Sequence, residues 1–337
     1  MSTKRPMMIW THLSVALLFL FPVKLHGAES AGLHKVRAAF TSLAGSQAPP
    51  WIAREAGLFK KHGLDVELVI LRGGVQGLNA LLAGEILFLQ ISGSTTVSAT
   101  VAGADAMIIA TTVGTLVQNL VARPEIEKPE QLRGKAVGID HLGTVIDTGA
   151  RLALRRLGLV PERDVTLLQI GGVESIVPAM QGNRVQAGLL SYPAIIQAKK
   201  LGYRVLLDIA SLSIPYASTG VSTRAKLIRE DPDTVRRYVA AQVEAIALMK
   251  RDRSFTLGVM GKYLRTSNRE LLSETYEIFA DKYLMKVPLP TVQAIQPVLE
   301  EIAIRNPKAI NQEPRNFFDD SFVRQLEASR FIESLYK

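Results

Sequence analysis

Cysteine is absent from the 337 residues. That absence excludes disulfides, thiolate zinc sites, iron–sulfur ligation and cysteine nucleophiles, and it removes the lipid-bearing cysteine that would tether a bacterial lipoprotein. Histidine is nearly as scarce, with five in all, and only His34, His62 and His141 lie beyond residue 30. There is no HExxH, no histidine pair at ligand spacing, no GxSxG elbow and no GxxxxGK loop; Gly134-Lys135 lacks the earlier glycine of a phosphate loop. Neither a metal, nor a cofactor, nor a catalytic set is therefore expected. Aromatic residues make up 6% of the chain. Its basic residues fall in short clusters such as Lys60-Lys61, Arg155-Arg156 and Lys199-Lys200, often near acids. The formal charge of +9 thus reads as solvated helix faces, and no nucleic-acid partner is expected.

Apolar residues supply 47% of the chain, enough for two cores. The start is of another kind: Lys4 and Arg5, an apolar run over residues 13–23 broken only by Ser14, then the small residues Gly27, Ala28 and Ser30. About eleven apolar residues are too few for a membrane span of roughly twenty. Residues 1–28 are expected to be a cleaved secretory signal, which leaves a soluble mature chain of about +6 outside the inner membrane.

The remainder is organised around a repeat. Residues 65–94, DVELVILRGGVQGLNALLAGEILFLQISGS, read as strand, turn, helix, strand and polar loop. An offset of 99 residues gives DVTLLQIGGVESIVPAMQGNRVQAGLLSYP, with Asp65 on Asp164, Gly73 on Gly172, Ala80 on Ala179 and Ser92 on Ser191. The same offset lays residues 36–40 on 135–139 and 52–59 on 151–158. Gly84, a left-handed helix cap in the first copy, meets Asn183, the non-glycine residue best suited to that conformation. Each copy is expected to be a β-α-β-α-β lobe.

Both copies end their strands in polar runs, 41–47 on 140–146 and 92–94 on 191–193. Ligands of open α/β sheets collect at the carboxyl ends of strands, where helix N-termini offer free N–H groups. Two facing lobes would make a cleft there, with Ser42, Ser46, Gln47, Ser94, Thr95, Thr115, His141, Thr144 and Tyr192 as candidate ligand-binding residues. Hydroxyl, amide and backbone donors suit the oxygens of a carboxylate or sulfonate, and Tyr192 could stack on an organic part. Simple helix capping is the competing role for each. His62 is expected to be an exposed turn residue.

The chain should pass into the second lobe near residues 120–123 and return where 219–223 resumes a strand. Lobe 1 is thus residues 33–120 and 219–337, lobe 2 is residues 121–218, and two crossings side by side form a hinge. Beyond Asp231 the pattern is helical. Asp231-Pro232 caps a helix with Val235, Tyr238, Val239, Gln242, Val243 and Ile246 inward, and residues 267–270 make a capping box. Two later helices, near 291–304 and 320–327, are assigned to packing on the first lobe.

Residues 50–68 (PWIAREAGLFKKHGLDVEL), 73–84 (GGVQGLNALLAG), 103–110 (GADAMIIA), 132–139 (LRGKAVGI) and 219–248 together resemble the nitrate/taurine/sulfonate group of ABC-transporter solute-binding proteins, also called the SsuA/THI5-like group. The resemblance implies the two-lobed type II periplasmic binding protein fold, an α/β architecture. It implies a protein that closes on a small solute and delivers it to an ABC permease with its ATPase; the cleft donors make an anionic organic solute the expectation, and a monomer is expected. The family's usual acid after each repeat helix is replaced by Leu87 and Gln186, which detaches this chain from any one family ligand. An enzyme on the same scaffold is the first alternative, although the thiamine-pyrimidine branch carries a cysteine-rich motif that is missing here. A solute-sensing subunit for a signalling receptor is the second.

Overall fold

The computed structural model describes residues 1–3 and 32–337; the expected signal segment lies outside the described residues. Residues 33–337 form one compact unit containing two five-stranded sheets. The first is ordered β2 (Leu64–Ile70), β1 (His34–Phe40), β3 (Phe88–Ile91), β10 (Pro215–Thr223) and β4 (Met107–Thr115). The second is ordered β7 (Thr166–Gln169), β6 (Ala136–Ile139), β8 (Ala187–Leu190), β5 (Asn119–Ala122) and β9 (Arg204–Asp208). In each, three parallel strands are joined by one antiparallel strand arriving from the other sheet, β10 in the first and β5 in the second. The fold is a two-lobed α/β architecture.

The repeat offset of 99 is realised in three dimensions. β3 falls residue for residue on β8, and Gly84 and Asn183 both take left-handed backbone, at φ 80° and 56°. Gly63 and Glu162 are a second such pair, at φ 78° and 67°. A side chain in that conformation costs about a kcal/mol, which the copies accept because the same strand must leave the same turn.

The crossings fall slightly earlier than the sequence suggests. Asn119 and Leu120 already pair with β8, and residues 215–218 already belong to the first sheet, so the chain crosses at 116–118 and 209–214. Leu116, Val117, Gln118 and Asn119 are all buried, so the first crossing carries no exposed loop to mark it.

The first core gathers Phe40, Trp51, Phe88 and Tyr238. Tyr238 stacks on Phe88 with centroids 3.9 Å apart, and Trp51 stacks on Tyr263 at 5.0 Å. The helix Pro232–Arg251 starts at Asp231, whose carboxylate accepts from Thr234 N at 3.1 Å, and it buries the six inward residues expected of it. Asn268 rather than Ser267 caps the helix Arg269–Tyr276. Gly57, at φ 67°, divides the expected helix over 52–59 into Ala48–Glu55 and Leu58–Lys61. His62 is not an exposed turn residue: its Nε2 lies 2.9 Å from Glu244 and its side chain is 17% exposed, because the helix carrying Glu244 packs across the turn.

The second core holds Leu120, Val137, Ile139, Ala150 and Leu154, and with them Ile295, Val298 and Ile302. The helix Val292–Ala303 therefore does not serve the first lobe alone. It packs on β10 and on the helix Gly93–Val101, while Glu301 pairs with Arg155 and Arg305 lies 3.0 Å from Asp147, both on the helix Val145–Arg156. Periodicity shows that a helix has a buried stripe; it does not say which sheet the stripe meets.

Candidate functional site

The carboxyl ends of the parallel strands of both sheets face one another across a polar cavity of about 50 Å³. That is room for a few water-sized groups. Its walls come from equivalent positions in the two copies: Thr41 and Asp140, Ser46 and Val145, Gln47 and Ile146, Gly74 and Val173, Ser92 and Ser191. Gln118 from the first crossing and Thr219 on β10 also line it.

Among the candidate residues, Ser42, Ser46, Gln47 and Thr144 line this cavity. Gln47 is partly committed, since its Oε1 accepts from Thr41 N at 3.2 Å. Thr144 is the N-cap of the helix Val145–Arg156, accepting from Asp147 N at 3.3 Å while its hydroxyl donates to Asp140 Oδ1 and to His141 O. Ser94 and Thr95 sit at the seam between the lobes, donating to Gly143 O at 3.5 and 3.4 Å. The His141 ring lies against Gly73, where a Cβ would come within 2.9 Å of it. Tyr192 meets the first lobe through its carbonyl, which accepts from Gly45 N at 3.3 Å. Thr115 is set apart at the crossing, where its hydroxyl donates to Ile214 O at 2.9 Å.

Asp140, an acceptor among the polar residues of 140–146, is not one of the expected site residues. It stands where the repeat has Thr41, and it lines the cavity with 8% exposure. Burial, with Asp147 adding to it, pushes its carboxyl up to about 7, against the hydrogen bonds from Thr144 and His141 N that favour the charged form. Of its two oxygens, Oδ1 takes both of those donors, His141 N at 2.6 Å, and no donor of the described residues reaches Oδ2. Among the described residues no lysine, arginine or histidine lines the cavity. At its edge Arg72 of the first lobe pairs with Glu174 of the second. Asp147, fully buried, accepts from Arg151 at 2.7 Å, Arg305 at 3.0 Å and Gly143 N at 2.9 Å.

The sequence model of the family described as NMT1/THI5 like matches residues 46–252. A curated relative from Brucella abortus, named only as a candidate binding protein, is 25% identical over 227 residues, 66% of this chain and 69% of that one. Among solved structures, the alkanesulfonate-binding protein SsuA from Xanthomonas axonopodis pv. citri, bound to MOPS, superposes with a TM-score of 0.70 at 16% identity, covering 86% of this chain and 99% of that one. The periplasmic nitrate-binding protein NrtA from Synechocystis superposes with a TM-score of 0.73 at 14% identity, covering 90% and 91%. These likenesses are to the fold.

Proposed function

Since the chain belongs to the NMT1/THI5-like family, we propose that it is an extracytoplasmic solute-binding protein of an ABC importer, a monomer that closes its two lobes on a small organic solute and hands it to a permease driven by an ATPase. The observation that carries this reading is the cavity itself: it is lined by equivalent positions of both copies, so a solute bound there touches both lobes at once. Contacts with one lobe hold the solute in the open form, contacts with the other are gained on closing, and the difference is what a permease can read. Asp140 and the Thr144 hydroxyl, which meet in the cavity, are both engaged at the start of the helix Val145–Arg156, an arrangement that suits holding a solute.

A thermal-shift screen of the purified protein against sulfonates, carboxylates, nitrate, amines and amides tests this. A solute at about a hundred times its dissociation constant adds about 2.7 kcal/mol of stability. The expected result is one responding class, recovered chemically unchanged, with the response abolished in Ser46→Phe, which fills the cavity. Recovery of an altered compound would replace transport with catalysis.

A further inference from the structure

The geometry points to a solute whose buried head is a hydrogen-bond donor, an uncharged or cationic N–H group, received by Asp140 Oδ2 and the Gln118 amide. This deepens the solute-binding reading and rests on it.

Three observations converge. The first is the charge of the cavity: its single ionisable lining group is the Asp140 carboxylate, and among the described residues no cation lines it. An anionic head placed there would face a buried carboxylate with no counter-charge, an unfavourable arrangement in a region that water screens poorly. The second is the helix start at Thr144, the feature that would otherwise favour an anion. Two of the chain's own acids stand beside it and offset its positive end, Asp140 accepting from His141 N at 2.6 Å and Asp147 accepting from Gly143 N at 2.9 Å. The third is Gln118. Its side chain is buried at 3% exposure, lines the cavity, and has an Oε1 with no partner. A buried amide oxygen without a partner costs stability unless a ligand donates to it. The free Oδ2 of Asp140, with the unpartnered amide of Gln118 beside it, is complementary to a head that donates, such as an ammonium, amidinium or primary amide.

The anionic solute suggested by the sequence rested on hydroxyls and backbone donors. Several of those are spent within the protein, Thr41 N on Gln47 and the Thr144 hydroxyl on Asp140.

The test is isothermal titration with probes that share one skeleton and differ in the head: benzamidine, benzylamine and benzamide against benzoate and benzenesulfonate, and the butyl series likewise. At least one nitrogen head is expected to bind about tenfold or more tighter than the sulfonate on the same skeleton, the effect of one charge-assisted hydrogen bond. For a cationic head the affinity should rise between about pH 5 and about pH 8 as Asp140 ionises. The other charged groups nearby are Asp147, held by Arg151 and Arg305, His141, and the Arg72 and Glu174 pair at the rim. Asp140→Asn should lose about tenfold in affinity for the cationic probes and flatten their pH profile. The wild-type series stands alone if that variant does not fold. Binding of a sulfonate or carboxylate that tightens as pH falls, with no nitrogen head bound, would overturn the inference and leave the solute-binding reading intact. If no probe of either kind binds at about 10 mM, the inference fails, and the solute-binding reading then rests on the wider screen.

Discussion

Asp140 shows how one position changes meaning between the two copies. In the first copy it is Thr41, whose hydroxyl donates to Gln90 O at 3.3 Å and whose burial costs little. In the second it is an acid whose pKa burial raises to about 7. The folded protein therefore holds a proton that the unfolded chain releases near pH 4, so stability falls as pH rises from about 4 to about 7 and remains lowered above that. Asp140→Asn is expected to leave the melting temperature nearly unchanged at about pH 4. At about pH 8, without solute, it should raise stability by on the order of a few kcal/mol at most. Thermal unfolding at the two pH values checks this; parallel pH profiles for the two proteins would show that the carboxyl titrates normally. Four of the nine candidate residues line the cavity, and they were legible because polar runs at strand ends mark such places. Asp140 lies inside the same run, but a pattern of hydroxyl and amide donors does not single out an acceptor.

Among the elements, the helix Val145–Arg156 carries most of the interlocking. Thr144 caps it, Asp147 in its first turn holds Arg151 and Arg305, and Arg155 reaches Glu301. Asp147 is fully buried, and Arg151 is nearly so. Removing one member of a buried ion pair strands the other, at about 3–5 kcal/mol. Asp147→Ala is thus expected to lower unfolding stability by that amount in urea titration, far more than loss of the exposed Arg37 and Glu67 pair, which is worth about 1 kcal/mol or less. A small effect for Asp147→Ala would mean that Glu162 and water take over its partners. The helix Val292–Ala303 was readable as a helix with one apolar stripe. Its service to both lobes was not readable, because the ion pairs that fix it, Arg155 with Glu301 and Arg305 with Asp147, lie about 150 residues apart in sequence.

At the scale of the whole molecule, the lobes meet along the seam formed by Ser94, Thr95 and Gly143, at the contact of Gly73 with His141, and through the Arg72 and Glu174 pair. In the proposed closure the two crossings would act as the hinge, and these contacts would open and close together. The absence of cysteine from the chain makes the movement easy to observe. With Arg72→Cys and Glu174→Cys introduced together, a short bismaleimide should link the lobes. A bound solute should raise the linking rate severalfold, since it favours the closed form. A rate indifferent to a solute that binds would show that closure and binding are uncoupled.

The sequence alone determined the repeat, its offset, the α/β class and the strand ends where polar residues collect, because each is a local pattern of periodicity and turn chemistry that recurs at a fixed distance. Only the tertiary structure decided which acceptors face the cavity, which donors are spent within the protein, and that a late helix ties the lobes together. Those depend on pairs of residues brought together across the chain, and the energy of a buried charge or an unpartnered amide is set by what surrounds it in space.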